Sequence, residues 1–461
     1  MDNDNSESGL MCLWGNLKDH PKCLHGPTLL FGRSIKGEVK KFYACSHLRE
    51  PGKCPTIKNK KNNVLPFYDH RKLYLRFSNL LSNSQNNRNY CHSCNELFTS
   101  SEIVKHKDHD VQKCLTNHQM SHPTEFLKPL SNNKEEAQYF FTENTTKNIA
   151  EILCKLGAKY ILCIGVPRLY EYISHNFGDK MTCFLLDIDA RFHQFFGPLN
   201  YAWYNLFNNH FFNPEAKTLF KDFLTQENGR DMYIVCDPPF GGRVEPISQT
   251  IKSITDNHKK WNNIKVADDE LKTLFIFPYF MESIIKKKSN PPGIVGGISN
   301  LEMTDFKVEY QNHATFQEQS NLAKKTSPVR LFTNIELSLI NLKNIIGYKY
   351  CSVCSRWVLE ENNHCDKCGK CTSKDGRQFT HCDLCERCVK HTWEHCETCR
   401  RCASKIHDCS QRPKIVENSL QCHTKGLIDK DCSESEAFIS RKRIVNRHGG
   451  VVKKKRKKKK D

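Results

Sequence analysis

One acid, two prolines and an aromatic stand together at Asp237-Pro238-Pro239-Phe240, followed by Gly241 and Gly242. The apolar run before them, Met232-Tyr-Ile-Val-Cys236, reads as a short buried strand. Prolines cannot continue a central strand, so the chain must leave the sheet here. In open α/β sheets, ligands sit beyond the carboxyl ends of strands. At such a place the Asp237 carboxylate and the Pro238 carbonyl can accept hydrogen bonds from an exocyclic amine. Pro239 stiffens the turn, and Phe240 can stack on the ring that bears the amine.

A second chemistry is written in cysteine and histidine. There are 25 cysteines, most of them clustered. In a reducing compartment, clustered cysteines are metal ligands more often than disulfides. Cys23-x-His25 followed by Cys45-x8-Cys54 brackets a predicted β-hairpin and suits a tetrahedral zinc site. Cys91-x2-Cys94-x11-His106-x2-His109 is close to a C2H2 finger, with His118, His122 and Cys114 as rival ligands. Residues 351–409 hold twelve more cysteines, with His364, His381, His395 and His407 spaced among them as ligands. Cys351-x2-Cys354 precedes three copies of His-Cys-x2-Cys-x2-Cys, which start at His364, His381 and His395. The phase suggests interleaved sites. The first joins Cys351, Cys354, His364 and Cys371, and the second Cys365, Cys368, His381 and Cys388. The third joins Cys382, Cys385, His395 and Cys402, which leaves Cys396, Cys399, His407 and Cys409. With little apolar sequence here, metal must supply the folding energy. About six zinc ions are expected in all.

The elements that must position these groups read as one α/β domain over 130–345. Strands are predicted at 160–165, 181–187, 231–237 and 273–279, with further ones at 306–310 and 329–332 and helical segments between them. That alternation gives a doubly wound, Rossmann-like sheet flanked by small zinc-bound modules on both sides. Gly165 ends the first strand and Asp187 ends the second, 22 residues on. This is close to the interval at which an acid takes ribose hydroxyls in nucleotide-binding folds. Lys286–Gly297 reads as an exposed basic loop beside the site, or as a plain linker.

Composition narrows the partners. The 461 residues carry a net charge of +19, with 70 Lys and Arg against 51 Asp and Glu. Nucleic acid is the simplest anionic partner for such a chain. Residues 1–20 and 411–461 read as disordered, and Arg441-Lys-Arg443 with the run 453–460 reads as a nuclear or nucleolar signal or an RNA arm. No signal peptide and no apolar run of about 18 residues is seen, so a membrane-free intracellular protein is expected, in nucleolus and nucleus and also in cytoplasm.

The tetrapeptide at 237–240 resembles the (D/N/S)-PP-(Y/F/W) signature of amino-group methyltransferases, which implies S-adenosylmethionine as cofactor. The single glycine at 165 agrees, since no pyrophosphate needs close approach. The unit at 21–60, with Phe42-Tyr-Ala-Cys45, resembles a GRF-type zinc finger, whose relatives bind single-stranded nucleic acid; Arg33, Lys40, Lys41, Phe42 and Tyr43 suit backbone contact and stacking. The array at 348–410 is similar to the cysteine-rich domain of zinc-finger acyltransferases, but no Asp-His-His-Cys and no membrane span accompany it.

Taken in order, GRF finger, C2H2-like finger at 88–125, methyltransferase domain and Cys/His array resemble the zinc-knuckle (CCHC) containing rRNA N6-adenosine methyltransferase family over roughly residues 20–410. The motifs Ala137-Gln-Tyr-Phe140, Gly165-Val-Pro-Arg168-Leu, Leu186-Asp-Ile-Asp189, Tyr204-Asn-Leu-Phe207-Asn, Phe277-Pro-Tyr-Phe280 and Ser327-Pro-Val-Arg330 carry the likeness. The resemblance implies cofactor contacts from Gln138, Tyr139, Phe140, Phe141, Arg168, Asp187, Asn205, Leu206, Phe207 and Asp237. It implies one adenosine of large-subunit (28S-type) rRNA as substrate, support of translation, ribosome-assembly or RNA helicase proteins as partners, and a monomer. The family's terminal C-x2-C-x4-H-x4-C knuckle is not found here. Rival readings are methylation of DNA or another RNA, and a noncatalytic RNA-binding zinc protein of ribosome assembly. The intact Asp237 motif and Asp187 weigh against the last.

Overall fold

The computed structural model describes residues 10–35, 38–46, 54, 68–130, 138–265, 270–312, 327–405, 407 and 409. The basic tail expected beyond 410 lies outside them, as do residues 1–9.

Eight strands form the central sheet: β1 (Tyr160–Ile164), β2 (Thr182–Asp187), β3 (Tyr201–Asn205), β4 (His210–Phe211), β5 (Met232–Cys236), β6 (Lys272–Pro278), β7 (Glu302–Lys307) and β8 (Val329–Thr333). Their order across the sheet is β4-β3-β2-β1-β5-β6-β8-β7. The pairs β3·β2, β2·β1, β1·β5 and β5·β6 are parallel, while β4, β8 and β7 join antiparallel. The fold is therefore mixed α/β with a mostly parallel, Rossmann-like sheet. Strand order reverses between β1 and β5, so the switch point opens there.

Five helices of ten residues or more are described. They are α1 (His70–Ser82), α2 (Glu143–Lys155), α3 (Pro167–Asn176), α4 (Pro214–Leu224) and α5 (Val244–Trp261). Local chemistry sets their starts. Asp69, Thr142 and Asn213 cap α1, α2 and α4 by accepting an amide of the first turn. Pro167 and Pro214 open α3 and α4, where the missing N–H costs nothing. The sheet then buries both faces. On one side Ile149, Leu153, Leu169 and Ile173 of α2 and α3 cover Ile161, Cys163 and Leu185. On the other, Phe220, Ile247, Ile251 and Ile254 of α4 and α5 cover Leu162, Phe184 and Ile234. Cys163, Cys183 and Cys236 are buried in these cores and Cys154 is half-buried.

The zinc modules are not beads on a string. Tyr90, Leu97, Leu115, Met120 and Phe126 of the second unit belong to the same core as α2 and α3. The Gln194 amide ties that unit down, accepting from Leu97 N at 2.8 Å and donating to Asn95 O at 2.7 Å.

Several expectations change. Residues 10–20, read as disordered, hold a strand at Leu10–Leu13, paired with Leu29–Ile35, and a 3-10 turn at Leu17–Asp19. The strand expected at 306–310 runs from Glu302 to Lys307. Lys286–Gly297 does not border the switch point: Gly296 packs on Glu270, beside the start of β6 and at the opposite end of the sheet.

Candidate active site and zinc centres

Register brings the candidate residues into one row. Ile164 faces Leu186 on one side and Cys236 on the other. The residues just beyond, Gly165, Asp187 and Asp237, therefore leave the sheet side by side. Asp237 N donates to Ile164 O at 3.1 Å, and Gly165 N to Leu186 O at 3.0 Å. Gly165 has φ +67°, and a Cβ there would sit 2.9 Å from the Asp237 carbonyl. Only glycine fits that position. The bare backbone lets the ends of β1 and β5 pass in contact at the switch point, the place where ligands bind in such sheets.

Asp237 is half-buried, and its Oδ1 accepts a hydrogen bond from the Tyr310 hydroxyl at 2.8 Å. Among the described residues Oδ2 carries no such bond. Desolvation holds the carboxyl well above the usual carboxylate range, and the Tyr310 hydroxyl offsets only part of that rise. Pro238 is buried and Pro239 half-buried. Phe240 is also half-buried, held edge-on by Phe277 (centroids 5.9 Å apart) and Tyr310 (5.8 Å). Gly242 N closes the turn on Pro239 O at 2.7 Å, and α5 starts just beyond.

Asp187 is buried at the mouth of β2 and accepts Asp189 N at 2.8 Å. Burial, then the charge of Asp189, raises its carboxyl to about 7. Asp189 is locked to Arg191 by contacts at 2.9 and 2.6 Å, and it accepts from the Gln138 amide at 3.3 Å. Asn312 pins the next stretch, accepting from Phe140 N and donating to Gln138 O, both at 2.8 Å. Phe140 and Phe141 are buried, and Tyr139 packs edge-on against Tyr310.

Two expected cofactor contacts are engaged with protein. Arg168 lies over Phe140 and donates to Phe141 O and Thr124 O, each at 3.0 Å, and to the Gln311 side chain. Asn205 donates to His25 O and to Ser46 Oγ, each at 3.0 Å, while its Oδ1 accepts Phe207 N. Segment 205–208 is thus the seat of the first zinc unit. Phe207 packs between that unit's core and Gly242, and Leu206 packs on the α4–α5 side of the sheet.

The Cys/His sets converge as the interleaved reading groups them. Ligand atoms of Cys23, His25, Cys45 and Cys54 lie within 4.8 Å of one another, as do those of Cys91, Cys94, His106 and His109. The same holds for Cys351, Cys354, His364 and Cys371; for Cys365, Cys368, His381 and Cys388; and for Cys382, Cys385, His395 and Cys402. At the end of the array Cys396 stands 3.6 Å from Cys409, and Cys399 stands 3.6 Å from His407 Nε2. Edges such as Cys354–His364 (3.2 Å), Cys354–Cys371 (3.9 Å) and Cys368–Cys388 (3.7 Å) match a tetrahedron, whose arms of about 2.3 Å give edges near ~3.8 Å. They are far too long for disulfides. The donor sets fit zinc. The rival ligands stand elsewhere: His118 pairs with Glu125, and Cys114 is exposed. One backbone device recurs. The residue after the second cysteine has positive φ at Asn95, Ser355, Gly369, Glu386 and Arg400.

The array is anchored through Asp305, which is buried. It takes Arg356 Nη2 at 2.5 Å, Asn362 Nδ2 at 2.8 Å and Leu359 N at 3.1 Å. Sequence reading missed this acid, along with Tyr310, Asn312 and Thr124, and it gave Asn208 no role although that residue ends the Tyr204–Asn208 motif. None of the first four sits in a spacing pattern that marks it.

Residues 132–337 match a family model described as a probable N6-adenine methyltransferase. The chain is 34% identical over 380 residues to the human rRNA N(6)-adenosine-methyltransferase ZCCHC4, an alignment covering 78% of this chain and 72% of that protein. The mouse protein of the same name is 37% identical over 368 residues, covering 75% of this chain and 70% of that protein. The Xenopus tropicalis protein is 34% identical over 367 residues, covering 75% and 73%.

Proposed function

The chain belongs to the rRNA N(6)-adenosine-methyltransferase family, and from that premise we propose that it methylates N6 of one adenosine in large-subunit rRNA with S-adenosylmethionine as donor. One observation carries the chemistry. Asp237 and Phe240 stand beyond β5, next to Gly165 at the switch point, with Asp237 Oδ2 open to a second hydrogen bond.

Asp187 would hold the ribose hydroxyls, and the stretch Gln138–Phe141 would border the cofactor. When bound, S-adenosylmethionine supplies an electrophilic methyl group. The chain's own residues do the rest. The target base must first leave its stack, at a cost of a few kcal/mol that is least in a loop or single strand. Phe240 stacks on it. Asp237 and the Pro238 carbonyl accept from the N6 amine and turn its lone pair toward the donor. Positioning supplies most of the acceleration. The proton that the amine loses on methylation passes to water at the site mouth.

The zinc units hold about six ions and present the basic hairpin at Arg33, Lys40 and Lys41 to the RNA backbone. Unpaired segments are the natural target for such a surface. We extend the reading to a monomer that works with ribosome-assembly or RNA helicase proteins in nucleolus, nucleus and cytoplasm, in support of translation.

The test is transfer of labelled methyl from S-adenosylmethionine to purified large-subunit rRNA, small-subunit rRNA and duplex DNA. Label recovered as N6-methyladenosine in large-subunit rRNA, and lost in Asp237→Ala, is the expected result. RNA binding without transfer to any of them would favour a noncatalytic scaffold.

A further inference from the structure

Tyr310 is in none of the motifs that mark the site, yet it touches both the Asp237–Phe240 turn and the Tyr139–Phe141 segment. It follows β7 and is 4% exposed. Its hydroxyl donates to Asp237 Oδ1 at 2.8 Å. Its ring lies edge-on to Phe240 at 5.8 Å and to Tyr139 at 5.9 Å, and is tilted against Phe141 at 5.4 Å. A β-bridge joins it to Phe141, and Gln311 N donates to Phe140 O at 2.8 Å. The residue is therefore fixed in place on the side of its backbone as well as its ring.

The consequence is chemical. A neutral Asp237 would carry an O–H, and an O–H facing the exocyclic amine donates to the lone pair that must attack. Only the ionised carboxylate is purely an acceptor. Burial works against ionisation here, and a hydroxyl donating to the carboxylate works for it. By holding Oδ1, the hydroxyl also dictates which oxygen is left for the amine.

We propose that Tyr310 is a positioning residue for methyl transfer: by holding Oδ1 it turns Oδ2 of Asp237 to the target amine and favours the acceptor-only carboxylate form. The inference rests on the proposed reading of Asp237. No bond of Tyr310 is made or broken, and its proton stays on its own oxygen. The titratable groups around Asp237 are the Tyr310 hydroxyl, the buried Cys236 thiol beside it on β5, Tyr139 behind the Tyr310 ring, and Asp187 beyond β1.

The test is Tyr310→Phe in the full chain, assayed with labelled S-adenosylmethionine on purified large-subunit rRNA. The ring contacts stay and only the hydroxyl goes. Loss of one hydrogen bond to a charged group lowers kcat roughly 10- to 100-fold. KM for S-adenosylmethionine holds, and the acidic limb of kcat/KM moves to higher pH. A thermal melt and equilibrium binding of S-adenosylhomocysteine report whether the variant is folded. In an Asp237→Asn background, where no carboxylate remains to be steered, adding Tyr310→Phe costs nothing further. Wild-type kcat and an unmoved acidic limb in folded Tyr310→Phe would overturn the proposal. So would an equal loss with and without Asp237. Full transfer by Asp237→Ala would instead sink the underlying reading of the site.

Discussion

The side-chain amide of Asn208 donates to two carbonyls of the first zinc unit, His25 O and Pro27 O, both at 2.8 Å. His25 is also a member of that unit's ligand set. The asparagine lies in the β3–β4 turn, three residues from Asn205, whose amide reaches the same His25 carbonyl. A change at the metal is therefore passed directly to 205–208, which borders the switch point. Cys54→Ser is expected to remove one equivalent of zinc and to weaken S-adenosylmethionine binding several-fold, although Cys54 is no part of the cofactor crevice. Zinc content and calorimetric cofactor binding check this together. A zinc-depleted variant with unchanged cofactor affinity would show that the seat holds its shape alone.

Asp187 makes a statement about pH. Its folded carboxyl sits at about 7, against an unfolded value near 4. Ionising it opposes folding, so its penalty is absent below about pH 4, grows between about 4 and 7, and is complete above that. Glu171, buried against Thr124 and raised to about 8, acts in the same direction. The cofactor-free protein should lose stability as pH rises from about 5 to 8. Asp187→Asn should recover part of it, at most about 4 kcal/mol, while losing S-adenosylmethionine affinity. Melting curves across that range, with Glu171→Gln as the second arm, separate the two acids. A flat Asp187→Asn difference between pH 5 and 8 would contradict the assignment.

What could be seen in the sequence divides by distance along the chain. The zinc sets and the strands β1, β2, β5 and β6 rest on spacing within a few tens of residues, and the structure places them where spacing does. The start of β7 is hidden in the sequence because buried Thr304 and Asp305 interrupt its apolar run. Only the array, more than fifty residues away, makes sense of Asp305. β3 is a five-residue segment, Tyr201–Asn205, too short and too aromatic for its period to show, although Gly197-Pro198 marks the turn before it. Asn205 meets His25 across 180 positions and Tyr310 meets Asp237 across 73. No periodicity encodes such pairings.

Arg168 joins the second zinc unit to the cofactor segment, since one guanidinium serves Thr124 O and Phe141 O. A lysine keeps the charge but has no planar fork to span both. Arg168→Lys is expected to weaken S-adenosylmethionine binding about tenfold, near the net worth of one charge-assisted hydrogen bond. Amide exchange at 138–142 and 124–127 should rise together in hydrogen-exchange mass spectrometry. Faster exchange confined to one of the two segments would mean that the arginine does not couple them.

Asp305 separates docking of the array from its folding. The ligands Cys351, Cys354, His364 and Cys371 are all local, so the first array unit can keep its metal without the sheet. Asp305→Ala strands the Arg356 guanidinium, which is 21% exposed. Breaking a buried pair in this way costs about 3–5 kcal/mol, less here because Arg356 reaches solvent. Stability should fall and the 342–347 junction should become protease-sensitive, with zinc content unchanged. Loss of zinc in parallel with stability would show that the sheet is needed to build the site.

The interleaving itself makes the sharpest demand. Cys371 belongs by sequence to the triplet that starts at Cys365, yet its sulfur lies 3.9 Å from Cys354 in the preceding site. Cys368, three residues earlier, faces His381 at 3.2 Å and Cys388 at 3.7 Å in the next. Cys371→Ser should therefore loosen 348–359 and spare 379–390, while Cys368→Ser should do the reverse. Each variant should lose about one equivalent of zinc, because each removes a ligand from a different ion. Amide exchange resolved over the two hairpins reads the difference directly. If both variants loosened the same hairpin, the triplets would be self-contained sites and the shared frame of the array would be wrong. A whole triplet therefore serves two ions, so removing all of its ligands, unlike a single substitution, should cost two equivalents of zinc.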